Sequence, residues 1–143
     1  MLNVFTPQLM IIVTVAIALA IMIGLAIILT RRRNSGLNVE KYRSDWLKIN
    51  NSLDSSNIMT YQMGILSADK LLDRALKDVG VSGETMGDRL KASNRRFSDI
   101  NKVWTVHKLR NRIAHDTDVK VNIVTAKKAM YIYKKSLKEL GAI

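Results

Sequence analysis

The chain has no cysteine and one proline, and among its 143 residues there are two histidines and three glutamates. Without cysteine it forms no disulfide, holds no thiolate-ligated zinc and has no thiol nucleophile. So few histidines and glutamates leave little for a metal site, and no metal or cofactor is expected. There is no phosphate-binding loop ending in Gly-Lys-Ser/Thr and no His-Glu-x-x-His pair, which removes two common enzyme classes. The length allows one modest domain with an anchor, not a large multidomain enzyme. Charge is also missing from the first thirty residues. All 23 Lys and Arg and all 12 Asp and Glu lie from Arg31 onward.

What fills the uncharged region is apolar. Leu9 to Leu29 reads LMIIVTVAIALAIMIGLAIIL, 21 residues interrupted only mildly by Thr14 and Gly24. As a helix it spans roughly 30 Å, the hydrocarbon thickness of a bilayer. A cleaved signal peptide fits less well: no Lys or Arg precedes the run, the run is long, and Arg31-Arg32-Arg33 follows at once. The expectation is an extracytoplasmic N-terminus over 1–8, a transmembrane helix over 9–30, a basic juxtamembrane linker over 31–37 and a helical domain over 38–143. The positive-inside rule puts that domain in the cytoplasm of a single-pass inner-membrane protein. Arg31, Arg32 and Arg33 would meet anionic headgroups at the membrane interface.

Beyond the arginine triplet there remain 20 basic and 12 acidic side chains, net +8. With Pro7 before the apolar run and little strand-like alternation, this part reads as a four- to five-helix all-α bundle. A first helix over about 38–53 carries Val39, Tyr42, Trp46, Ile49 and Leu53 at core spacing. A second, capped by Ser55-Ser56, runs to Val79 with a seam of Ile58, Ile65, Leu72 and Val79 interleaved with Tyr61, Ala68 and Ala75. Its small alanines admit a partner helix closely. A short helix follows over about 84–94 with Met86 and Leu90 inward. A fourth covers about 98–115 behind Ser98-Asp99, with Val106, Leu109 and Ile113 as its apolar face. A fifth covers about 122–140, capped by Asn122 and closed by Gly141. Its inward face is Ile123, Ala126, Met130, Tyr133, Leu137 and Leu140.

The fourth helix holds the unusual cluster, WTVHKLRNRIAHD, with both histidines of the chain. His107, Asn111 and His115 are four apart and share one stripe, with Arg110 beside it. Arg112 and Asp116 are placed to pair. Imidazole offers a proton acceptor near neutral pH, and guanidinium a fixed cation for phosphate. The bland alternative is that Arg and His serve the carbonyls and dipole at a helix C-terminus.

The segment R-N-R-I-A-H resembles the signature of the HEPN (higher eukaryotes and prokaryotes nucleotide-binding) superfamily: an Arg, then four to six intervening residues of which the first is polar, then a His. The resemblance covers about 38–143 and not the apolar run. It implies an HEPN-like bundle acting as a homodimer. It also implies a metal-independent endoribonuclease of toxin or defence type, with Arg110, Asn111 and His115 catalytic. In that scheme His115 acts at the 2′-hydroxyl, Arg110 stabilises the phosphorane-like transition state and Asn111 orients the phosphate. His107 and Asp116 support them. RNA and a regulatory protein would be partners, beside the lipid bilayer.

Two other readings stand on the same residues. Many HEPN-like domains are non-catalytic, so the chain fits a membrane-tethered dimerisation or partner-recruiting module. The paired charges Arg95-Arg96, Lys127-Lys128 and Lys134-Lys135 are commonly only solvated helix faces, or contacts to anionic lipid. Phe97 is the only aromatic beside a basic pair, so no base-stacking platform is evident.

Overall fold

The computed structural model describes the backbone of residues 7–33, 36–116 and 118–143, and the side chains of these outside 27–33. Six α-helices follow in order: α1 Pro7–Arg33, α2 Val39–Asn51, α3 Ile58–Asp78, α4 Met86–Ala92, α5 Ile100–His115 and α6 Ile123–Glu139. No β-strand is present among the described residues. Two compact units result, Met1–Ser35 and Gly36–Ile143.

The first unit is α1. Its stretch Pro7–Ala26 is long and apolar enough to cross a membrane, a property shared with signal sequences near an N-terminus. Its large side chains are exposed, Ile12 at 65%. The helical backbone continues through Arg33, so the arginines expected to open a linker form the last turn of α1. Residues 1–6, 34 and 35 and the side chains of Arg31, Arg32 and Arg33 lie outside the described residues, and with them most of the expected N-terminal segment and the headgroup contacts.

The second unit is a helical bundle around α3. Helices α2, α4, α5 and α6 each pack against it, and α5 and α6 also pack on each other. The expected seam of α3 lies in the core: Ile65, Ala68, Leu72 and Ala75 are fully buried, with Tyr61 nearly so. Its ends differ, because Ile58 opens to solvent and Val79 is only partly covered. Tyr42 and Trp46 from α2, Leu90 from α4, Val103 and Val106 from α5, and Met130, Tyr133 and Leu137 from α6 complete the core. Burying a large apolar side chain contributes about 1.5–3 kcal/mol, so this cluster dominates the stability of the unit.

The caps explain the boundaries. Asn38, Asn57, Thr85, Asp99 and Asn122 each accept a backbone N–H at the start of their helix. Asn57, not Ser55-Ser56, caps α3. Those serines belong to the preceding turn, where Asp54 Oδ1 accepts from both the backbone and the hydroxyl of Ser56. Thr85 and Asp88 form a reciprocal capping box on α4. The loop before it turns at Gly83, whose φ is 146° and where an added Cβ would meet the Arg89 backbone nitrogen at 2.8 Å. Arg89, almost fully buried, bonds Asp73 at 2.6 Å and the Gly83 carbonyl, tying α4 and this loop to α3.

Candidate functional site

Helix α5 enters the core at its first half and leaves it at its second. Val103, Val106 and His107 are buried, Leu109, Arg110, Asn111 and Ile113 are half-covered, and His115 is exposed. The His107-Asn111-His115 stripe therefore runs from the interior to solvent. His107 is part of the packed face, beside Val103 and Val106. The edge of Trp104 rests against its ring at 5.9 Å between centroids.

The partner that holds His107 comes from α3. Asp69 Oδ1 lies 2.8 Å from His107 Nδ1, and both groups are buried. The carboxylate accepts the Nδ1 proton of the ring. Asn111 Nδ2 stands 3.3 Å from Nε2. The Asn111 carbonyl oxygen accepts from Arg110 Nη1 at 3.1 Å. Arg110 Nε returns to Asp69 Oδ2 at 3.4 Å, an ion-pair contact without hydrogen-bond geometry. Asp69, His107, Asn111 and Arg110 thus close a ring of four side chains.

From the core side, the Tyr133 hydroxyl on α6 sits 3.1 Å from Asp69 Oδ1 and 3.0 Å from the Val106 carbonyl. Burial, followed by the charge of Asp69, pushes the Tyr133 ionisation well above its ordinary range. Tyr133 therefore stays a hydrogen-bond donor at neutral pH.

The ring borders a hollow of about 750 Å³ walled by α3, α4 and α5. Lys70, Lys108 and Arg110 line it, with Trp104 as its aromatic wall. Asp73, also on the wall, is already engaged by Arg89 and Lys77, whereas Lys70 and Lys108 have no carboxylate within ion-pair distance among the described residues. A hollow of this size with two unpaired lysines and a fixed guanidinium suits a small anion carrying a planar group.

Of the residues expected to act together, Arg110 and Asn111 meet, and His107 supports Asn111. His115 does not join them. It ends α5, eight residues beyond His107 and so about 12 Å along the axis. Asp116 follows as the C-terminal cap, exposed and 3.9 Å from Arg112, as their spacing implies. Asp69 and Tyr133 were missed as polar groups. The signal for Asp69 was available: a lone acid stands four residues after Ile65 and three before Leu72, on the face otherwise filled by apolar side chains. The described residues contain no group of three or more His, Cys, Asp or Glu arranged for a metal ion.

Compared with known proteins, the chain matches no protein-family model, no curated protein and no solved structure.

Proposed function

We propose that the chain is a membrane-anchored, HEPN-like RNA-binding protein that cleaves RNA without a metal as a homodimer, in a toxin or defence role under a regulatory partner. The observation that carries this reading is the Asp69–His107–Asn111–Arg110 ring beside a hollow with two unpaired lysines. A guanidinium held on both sides is preorganised for a phosphate whose charge grows in the transition state. His115, free at the helix end, is the proton acceptor for the 2′-hydroxyl, and a second copy brings it to the site. Attack of that oxygen on phosphorus expels the 5′-oxygen of the next nucleotide, takes a proton from solvent and leaves a cyclic phosphate. The apolar Pro7–Ala26 stretch is the anchor, and Arg31–Arg33 hold the bundle on the cytoplasmic side.

One feature favours the alternative of a non-catalytic, tethered dimerisation or recruiting module: Asp69 already balances the charge of Arg110 within one chain. The test uses the full chain in detergent with EDTA, defined RNA, and solution mass measured in parallel. Cleavage to cyclic-phosphate ends by a dimer, falling roughly 100-fold or more in both His115→Ala and Arg110→Ala, is the expected result. A folded dimer that leaves RNA intact would overturn the ribonuclease reading and leave the recruiting module.

A further inference from the structure

Helix α6 has two unlike faces. Its inner face is the core row through Ala126, Met130, Tyr133 and Leu137. Its outer face carries Lys127, Lys128, Lys134, Lys135 and Lys138, all exposed. At 100° per residue these five fall within a third of the helix circumference. Tyr131, 67% exposed, stands at the centre of the row, and Val124, 73% exposed, at its start. Lys135 lies 3.7 Å from Glu139, while the other four lysines have no carboxylate within ion-pair distance among the described residues. The acids nearest the row are therefore occupied: Glu139 also accepts from Ser98, and Asp99 pairs with Lys102.

We infer that this face of α6 docks flat on an anionic bilayer surface. From Val124 to Lys138 the row is straight and about 21 Å long, a shape that meets a plane along its whole length. The charges are lysines, strongly hydrated point charges without the planar fork that reads phosphates in pairs. The exposed aromatic in this row is a tyrosine, which suits the headgroup level, and a lone ring is a poor platform for successive bases. The apolar face of α6 is spent on the bundle core, so the contact is electrostatic: a row of lysines attracted to anionic headgroups. The inference concerns a different surface from the ring at Asp69 and stands whether or not that site cleaves RNA.

The absence of cysteine allows a single reporter. The full chain bearing Tyr131→Cys, labelled with a fluorophore, is incorporated into vesicles of phosphatidylcholine alone or mixed with phosphatidylserine, both carrying a headgroup quencher. A second reporter at Lys91→Cys, on an exposed side chain of α4, is the control. The expected result is several-fold stronger quenching at position 131 with phosphatidylserine than without, no such change at position 91, and loss of the effect in concentrated salt. Each basic residue at an anionic surface favours contact roughly five-fold. Changing Lys127, Lys128, Lys134 and Lys138 to Gln therefore removes the docked population. These side chains are exposed, and a circular dichroism spectrum checks that the helices persist; if they do not, the lipid and salt comparisons decide. Equal quenching on both vesicles, or none on either, overturns the inference. If position 131 responds to added RNA on neutral vesicles and not to phosphatidylserine, the face belongs to RNA and the inference also fails.

Discussion

Helix α3 contributes to two groups that each contain tyrosine, aspartate and arginine, and they differ in burial and connection. At the edge with α2, the Tyr42 hydroxyl donates to Asp78 at 2.6 Å, while Arg74 lies over the Tyr42 ring and bonds Asp45. In the centre, Tyr133, Asp69 and Arg110 are joined by His107 and Asn111. In the edge group Tyr42 is buried, but its charged members reach solvent, with Asp78 exposed, Arg74 part-exposed and Asp45 shared by Arg74 and Lys48. The central group places a carboxylate that is 4% exposed under three partners and leaves Arg110 Nε buried without a hydrogen bond. Edge pairs of the first kind stabilise a seam weakly. A buried, over-connected carboxylate is the arrangement found where side chains are held for a task.

The sharpest way to break that contrast is to remove each carboxylate. Asp69→Ala strands His107, Tyr133 and Arg110 and is expected to cost about 3–5 kcal/mol in denaturant unfolding. Asp78→Ala loses the one bond from the Tyr42 hydroxyl to a carboxylate at the bundle edge, about 1.5 kcal/mol. Similar losses would show that the central group is only another seam.

The tyrosines come next. Tyr133→Phe is expected to cost about 1–2 kcal/mol at neutral pH and Tyr42→Phe about 1. Their pH profiles sharpen the difference. Both ionisations are raised, Tyr133 well above 10.0 by burial and then Asp69, Tyr42 to about 12 by burial and then the bond to Asp78. A raised folded value means stability that is complete below the unfolded tyrosine range and lost as pH rises through it. Thermal unfolding should therefore weaken in alkali, with the larger part of that loss abolished by Tyr133→Phe.

The smallest effects concern the arginines. An Arg74–Asp45 double-mutant cycle is expected to give about 0.5 kcal/mol, screened by salt. The Arg74 hydrogen bond lowers the Asp45 ionisation, so this contribution is present above the ordinary carboxylate range and fades as pH falls through the folded value. Arg110→Gln, which leaves the buried Asp69 without its cation, should reduce RNA retention in a filter-binding assay, while Arg74→Gln leaves it unchanged. Equal RNA retention by both variants would remove the functional half of the contrast.

Much of this architecture was legible before any coordinates. Helix spacing, the α3 seam and the α6 core face follow from 3- and 4-residue recurrence, which burial enforces directly. Asn122 and Gly141 mark α6 because a cap needs a short acceptor before the helix, and the chain beyond it needs φ of +74°. The cap of α3 was misplaced by one or two residues because Ser, Asp and Asn all offer short acceptors in that turn. The site was half legible. Arg110 and Asn111 could be read from one helix, while Asp69 lies 38 positions before His107 in sequence and enters only through packing of α3 on α5. Periodicity reports which way a residue faces and not what stands opposite. His115 shows the complement: its spacing places it in the stripe, but α5 has left the core by that turn.

Because α3 touches every other helix of the bundle, its centre is freed only when the packing around it is lost. Amide protons at its centre, near Ala68 and Leu72, should then exchange with solvent deuterium only through global unfolding. Those of short α4, seven residues held through Met86, Arg89 and Leu90, should exchange through local opening. The carboxylate that organises the α5 ring thus sits in the slowest-breathing part of the chain.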